Sequence, residues 1–307
     1  MPRTNDSPHS GRTSFAATSD QADRRLDRVL RGLYPSVPLG AIMKALRKGA
    51  VRIDGRPAKG DTRLAEGNVV TVPWGNEEVE RTVVPVHGAP LETIYRDDHI
   101  WCVDKPAGML SQPDGSSNES VVTSVWSALS WTRTDFRPAV VHRLDRNVSG
   151  AILIALTSQI LRTLSECIRL GEVKKIYLAV VGGQMPPSGE IDASLLKDEA
   201  ENVVRTDQAG KAALTRYQTI AANERYSLVE LELVTGRPHQ ARVHLASVGH
   251  AIVGDRKYGG CTPPAPCRRI FLHARSLTLP ERPDLPEALR GATLIAPTPK
   301  EFDKILT

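Results

Sequence analysis

Three polar stretches hold the residues whose types and spacing could do chemistry. The first is Val141-His142-Arg143-Leu144-Asp145-Arg146-Asn147-Val148-Ser149-Gly150, set between two apolar runs. A carboxylate on a polar loop between core strands is held rigidly yet stays reachable, a common placement for catalytic groups. Its sequence neighbours Arg143 and Arg146 would lower the pKa of Asp145 and keep it ionised. An ionised, fixed aspartate is a competent nucleophile. The plainer alternative is a turn in which Asp145 pairs locally with an arginine, and this loop taken alone favours that alternative.

The second stretch is Leu233-Val234-Thr235-Gly236-Arg237-Pro238-His239-Gln240-Ala241-Arg242-Val243-His244-Leu245. Thr235-Gly236 closes a strand, and Pro238 fits the first turn of a helix. His239 and Arg242, three apart, would share a face at its start. Zinc held by His239 and His244 is disfavoured, because five residues turn them about 140° apart on a helix. Core or capping roles suit these histidines better. The third stretch, Lys174-Lys175-Ile176-Tyr177-Leu178-Ala179-Val180-Val181-Gly182-Gly183, alternates as a strand does, with Lys175, Tyr177 and Ala179 on one face. A tyrosine flanked by lysines can offer a base a stacking platform. Alone, it more commonly packs in the core with its hydroxyl satisfied.

The elements that must position these groups follow from periodicity. Leu26, Val29, Leu30 and Leu33 mark an amphipathic helix that Pro35 and Pro38 interrupt. Leu39, Ile42, Met43 and Leu46 repeat the spacing, and Gly49 sits where a helix C-cap belongs. Lys44, Arg47 and Lys48 fall off that stripe, available to phosphates or simply to solvent. Val51-Arg52-Ile53, the turn Asp54-Gly55 and the strand Val69–Val72 come next. Beyond Pro90, strands are expected at 100–103, 139–141, 151–156, 176–181 and 228–234, and helices at 121–129, 159–170 and 240–248.

Composition narrows the class. At 307 residues, with 40% hydrophobic and 24% charged, the chain has material for about two folded, soluble domains. Its longest apolar run, Ala151–Leu156, is far short of a membrane span, and no signal-peptide core opens the sequence. Cys102, Cys167, Cys261 and Cys267 form no CxxC pair, which points to a reducing cytoplasm and away from disulfides or a cysteine zinc site. Between Gln21 and Pro73 stand 11 Lys and Arg against 5 acids, although the whole chain carries only +5. A basic module beside a nearly neutral one is the footprint of nucleic-acid binding. A Walker A motif and a GxGxxG after a strand are both missing, so nucleotide-cofactor chemistry has no sequence support.

In this order, the stretches resemble the pseudouridine synthases of the RluA type. His142 to Gly150 is similar to that family's HRLDxxTSG loop, the Lys175–Tyr177 strand to KxYxAxVxG, and Thr235 to His244 to TGRTHQIRVH. His250-Ala251-Ile252-Val253-Gly254-Asp255 with Tyr258-Gly259 resembles the GHPIxGDxxYG that follows. Leu272-His273-Ala274 with Leu277, and Ala296-Pro297-Thr298-Pro299, resemble the closing segments. The resemblance spans about Ile94 to Phe302, and the basic segment before it is similar to an S4 RNA-binding domain, the arrangement of the RluC branch. Val148 and Pro238 stand in place of family threonines, and Ala241 in place of Ile or Leu, without removing a reacting group.

The resemblance implies an RNA-modifying isomerase acting on large-subunit ribosomal RNA, without metal, nucleotide or other cofactor. By position, Asp145 matches the essential aspartate, Tyr177 the tyrosine on the target uracil, and Arg242 the arginine paired with the aspartate. Arg143 matches the arginine that fills the space of a flipped nucleotide, and His142, Leu144 and His239 line the substrate site. Arg24, Arg28, Lys44, Arg47 and Lys48 would bind RNA through the S4-like segment. A transfer-RNA-directed synthase and a non-catalytic RNA-binding factor are the competing readings. The expected fold is α+β: a tail over 1–20, an S4-like module over 21–73, a linker over 74–90 and a catalytic domain over 91–307. That last domain is expected to be built on a mixed, mainly antiparallel sheet.

Overall fold

The computed structural model describes residues 12–34, 36–75, 90–114, 117, 119–129, 136–198, 201, 203–263 and 269–305. Residues 1–11 of the expected tail, most of the expected linker, in which the pair Val83-Val84 could form a short strand, and Cys267 lie outside them. The chain divides into two compact units, one made of 1–85 with 130–137 and 157–159, the other of the remainder.

In the first unit, chain order runs β1 (Thr13–Ala16), α1 (Leu26–Leu33), α2 (Leu39–Arg47), β2 (Arg52–Ile53), β3 (Arg56–Pro57) and β4 (Val69–Val72). The four strands form one sheet in the order β1-β4-β2-β3. Strand β1 corrects the expected tail: Thr13 to Ala16 pair antiparallel with Val72 to Val69, and Phe15 packs against the core. Four residues with two polar members are too short to show a period, so only the partner strand reveals them. Asp54 and Gly55 both take positive φ, as a tight β2–β3 hairpin turn requires, and Gly49 does so just past α2. The apolar stripe of α2 is also corrected. Ile42, Ala45 and Leu46 face the core, whereas Leu39 and Met43 are exposed.

The second unit holds β5 (Glu92–Arg96), β6 (Ile100–Lys105), α3 (Val121–Ala128), β7 (Ala139–Val140), β8 (Ser149–Ala155), α4 (Ser158–Leu170), β9 (Lys174–Gly182), β10 (Ser188–Asp192), β11 (Leu195–Asp198), β12 (Val203–Thr206), β13 (Leu214–Ala222), β14 (Tyr226–Leu233), α5 (Gln240–Ser247), β15 (Leu272–Thr278), β16 (Thr293–Ile295) and α6 (Lys300–Lys304). A ten-stranded sheet runs β10-β13-β14-β9-β15-β8-β6-β5, with β16 on β15 and β7 on β8. All its pairings are antiparallel except β15 with β8. The expected mixed, mainly antiparallel α+β sheet is therefore present.

Both faces of this sheet are covered. Val121 and Val125 of α3 and Ala241 and Leu245 of α5 pack with Val103, Ile152 and Ile154 on one face. Ile160, Leu164 and Cys167 of α4 pack with Cys102 and Leu153 on the other. That double coverage explains why β6 and β8 read as continuous apolar runs. Strand β8 begins two residues earlier than its apolar run because Ser149 and Gly150 pair with His273 and Ala274. Gly150 has φ +116°, and a Cβ there would fall 2.2 Å from the Ala274 carbonyl oxygen, so the loop before it can enter the sheet only through glycine. No helix among the described residues is long and apolar enough to cross a membrane.

Candidate active site

The Asp145 loop joins β7 to β8 and is fastened from below by the segment after β6. Lys105, fully buried at the end of β6, donates from Nζ to the carbonyls of Pro106 (3.0 Å), Met109 (2.8 Å) and Arg146 (3.1 Å). Three acceptors around one nitrogen use all three protons of an ammonium. Burial nevertheless lowers its pKa to about 7, opposed by the charge of Asp145. Gly108 N–H donates to the Arg146 carbonyl (2.7 Å), and Arg146 Nε returns a bond to Gly108 O (3.0 Å). Ser111 Oγ donates to Leu144 O (2.8 Å) and accepts from Leu144 N–H (3.0 Å). A polar loop is thereby given strand-like rigidity without strand conformation.

This fastening places the sequence-expected residues unequally. His142 Nε2 accepts a bond from Leu153 N–H (3.2 Å), which ties the loop's first turn to β8. Burial, reinforced by the charge of Lys175, lowers the His142 pKa to about 4, so the ring is neutral. Leu144 and Val148 are buried in the core beneath the loop. Arg143 is exposed, and Arg146 turns to Gly108 rather than to Asp145. The cation that contacts Asp145 is thus neither of these chain neighbours but one from 97 residues further along the chain, the arginine that the resemblance pairs with it.

That cation is Arg242, in the first turn of α5. Its Nη1 donates to Asp145 Oδ2 at 2.8 Å, while its Nε and Nη2 grip both oxygens of Asp255 at 2.7 and 2.9 Å. Side-chain exposure falls along this chain, from 33% at Asp145 to 9% at Arg242 and 1% at Asp255. The reachable carboxylate is therefore the outer end of a buried, bidentate anchor. Burial opposes the Arg242 charge, but bonds to Asp255 and then Asp145 raise its pKa above the ordinary arginine range. Such an arginine is a fixed charge that does not exchange protons.

His239 completes the near side. It has φ +53°, just ahead of α5, so Pro238 lies before the helix rather than in its first turn. Gln240 holds this turn: its Oε1 accepts from Thr235 Oγ1 (2.7 Å) and Arg237 N–H (3.0 Å), and its Nε2 donates to Leu214 O (3.0 Å). Val204 N–H donates to the Tyr258 hydroxyl (3.1 Å), which also bonds His239 Nδ1 (2.6 Å). When the hydroxyl donates in that pair, the proton of neutral His239 sits on Nε2, 3.8 Å from Asp145 Oδ2. Desolvation lowers the His239 pKa, against the pull of Asp145. His244 is a buried core residue, bonded to Thr215 Oγ1 and Ala193 O at 2.9 Å each.

Tyr177 stands on β9 between Leu231 of β14 and Ala274 of β15, in the centre of the sheet. Burial, with the Asp145 charge adding to it, raises its pKa, so it is a neutral phenol. The alternation placed Lys175 and Tyr177 together correctly, and both are buried. In the first unit, Arg28, Lys44, Arg47 and Lys48 are exposed and Arg24 is half-buried. Among the described residues, no group of three or more His, Cys, Asp or Glu side chains is arranged to hold a metal ion.

Residue-by-residue reading did not single out Asp255, Tyr258 or Lys105 as site residues. The first two stand in the quoted Gly254-Asp255 and Tyr258-Gly259 pairs, each beside a glycine with φ +82°. Gly254 has φ +82°, and a Cβ there would meet the Arg269 carbonyl oxygen at 2.0 Å.

Comparison with known proteins agrees with this geometry. The profile of the RNA pseudouridylate synthase family matches residues 99–247, from the start of β6 to the end of α5. A protein of Vibrio parahaemolyticus named ribosomal large subunit pseudouridine synthase C is 33% identical over 301 residues, covering 94% of this chain and 93% of the relative. One of the same name from Escherichia coli K12 is 36% identical over 283 residues, covering 85% and 86%. The solved structure titled human RNA pseudouridylate synthase domain containing 4 shares the fold, with a TM-score of 0.57 at 24% identity, over 70% of this chain and 91% of that one. A reachable aspartate fixed by a buried arginine, on this sheet and in this sequence context, belongs to a chain of the RNA pseudouridylate synthase family, an RNA pseudouridine synthase.

Proposed function

We propose that this enzyme isomerises uridines of large-subunit ribosomal RNA, with Asp145 as its essential carboxylate, in the cytoplasm. The observation that carries the reading is the reachable Asp145 carboxylate bonded to a buried Arg242 that Asp255 anchors from behind. The names of the relatives support large-subunit RNA as the substrate. A uridine flipped out of its RNA costs a few kcal/mol, which basic contacts and stacking must offset. Asp145 then supports cleavage of the C1′–N1 bond, whether by attack on C6, by attack on C1′ or by removal of a 2′ proton. The released base turns in place and rejoins through C5. Arg242 orients the carboxylate in each version, and Tyr177, as a neutral phenol, packs against the base. No electrons are gained or lost, so the reaction itself calls for no redox group.

The first unit, with its S4-like sequence over 21–73 joined through 74–90 to the catalytic part, supplies RNA affinity through Arg24, Arg28, Lys44, Arg47 and Lys48. Mapping pseudouridine in ribosomal and transfer RNA from cells lacking the gene tests the whole reading. Sites in large-subunit RNA should vanish and return with the wild type but not with Asp145→Asn. The variant should still bind RNA within a few fold of wild type. Rescue by Asp145→Asn would overturn the role of Asp145, and sites lost only from transfer RNA would overturn the substrate.

A further inference from the structure

Lys175 is 7% exposed, yet among the described residues no carboxylate pairs with it and no acceptor takes a hydrogen bond from it. Its stem is buried on β9, on the same face as Tyr177 and two residues away, about 7 Å along a strand. The ammonium lies beside Gly236: a Cβ added there would sit 3.6 Å from Nζ. Gly236 opens the turn that carries His239 and Arg242, and the Lys175 charge acts on His142, at the start of the Asp145 loop. Lys175 thus lies against one of the two segments that make the site and acts on the other. Its remaining charged neighbour is another cation, Arg237, whose Nε is spent on the Ala212 carbonyl (3.0 Å).

An ammonium carried on a buried stem normally meets a carboxylate or a ring of carbonyls, as Lys105 does. Lys175 instead faces neutral His142 and like-charged Arg237, an arrangement that stabilises an anion arriving from outside. The geometry points to a phosphate subsite: Lys175, with Arg237, binds a phosphodiester adjoining the uridine that lies over Tyr177. This rests on the RNA-synthase reading above and adds the group that grips the target nucleotide's own backbone. Such a contact acts at the reacting nucleotide, unlike the exposed cations of the first unit. It would hold the flipped conformation while the base detaches and turns.

The test uses the full-length enzyme and ribosomal RNA from cells lacking the gene. Lys175→Met keeps the buried stem and removes the charge, and Lys175→Arg keeps the charge. Lys175→Met should melt at or above the wild-type temperature, because it deletes an unpartnered cation. It should bind RNA about tenfold more weakly, with a salt slope shallower by about 0.7 to 0.9, one phosphate contact. Lys175→Arg should restore most of that affinity. Ethylation interference on the RNA should show one phosphate beside the modified uridine that matters to the wild type and not to Lys175→Met. A wild-type salt slope and interference pattern in Lys175→Met would overturn the subsite, as would a marked fall in its melting temperature with unchanged affinity. A wild type that isomerises no uridine in that RNA would instead overturn the underlying substrate reading.

Discussion

On α2, Lys44, Arg47 and Lys48 stand exposed. On α5, Arg242 is buried between two carboxylates, with all three bonds between 2.7 and 2.9 Å. Both helices present cations, but in opposite settings. Exposed charges act through a medium of high dielectric, screened over about 8 Å at physiological salt, and attract any phosphate that comes near. The Arg242 guanidinium is desolvated, held in one orientation, and touches a single reachable atom. The first arrangement suits affinity without exact placement, and the second suits placement at a reacting bond. Substitutions in the two regions should therefore separate binding from chemistry.

The largest effect is expected at Arg242. Arg242→Met leaves Asp255 buried without its partner, a loss of about 3–5 kcal/mol in stability. Arg242→Lys is the sharper experiment, since it keeps a charge but cannot bond both carboxylates in a fork. We expect Arg242→Lys to fold, to bind RNA within a few fold of wild type, and to lose about 10²–10³ in single-turnover rate. A wild-type rate in Arg242→Lys would mean that a point charge suffices and that the anchored geometry is irrelevant.

The complementary experiment replaces Lys44, Arg47 and Lys48 together by glutamine. If each meets a phosphate, the salt slope should become shallower by about 2–3, and affinity at moderate salt should fall by about an order of magnitude or more. Stability should stay within about 1 kcal/mol, because exposed charges contribute little to the fold. At saturating RNA the single-turnover rate should match the wild type. A rate that falls even at saturation would break the division between the two regions.

How much of this was legible in the sequence differs between the same two regions. Elements with their own period were readable: α1, α2, α3, α4, α5 and the apolar strands β6, β8, β9 and β14 all lie within a few residues of their expected limits. Strands whose identity depends on a partner were not. Polar β1 exists through β4, β10 and β13 form one polar side of the sheet, and β15 carries His273 and Arg275 within its run. In the candidate site, motif order drew attention to Asp145, Tyr177 and Arg242 and paired Arg242 with Asp145, and the two side chains do bond. Proximity in sequence had suggested Arg143 and Arg146 as the nearby charges, but Arg146 bonds Gly108 instead. Buried polar supports such as Asp255 and Lys105 have no local signature, because their value lies entirely in what the fold sets against them.

The smallest effect, and the finest probe of the wired region, is expected from Tyr258→Phe. It removes one oxygen and keeps the ring, which lies 5.0 Å from the Arg242 guanidinium carbon. Val204 N–H then loses its acceptor and His239 Nδ1 its donor, a change of about 1 kcal/mol for each hydrogen bond. Freed of that donor, His239 can place its proton on either nitrogen, so Nε2–H no longer always faces Asp145. The rate at saturating RNA should fall about three- to tenfold, as expected from losing about one hydrogen bond's worth of orientation, while affinity stays unchanged. Nitrogen-15 spectra of the histidines should show His239 moving from one tautomer to a mixture. If the tautomer shifts and the rate does not, Asp145 is held by Arg242 alone. If both shift together, the chain of contacts from the β12 backbone through Tyr258 to His239 is a second brace on the same carboxylate.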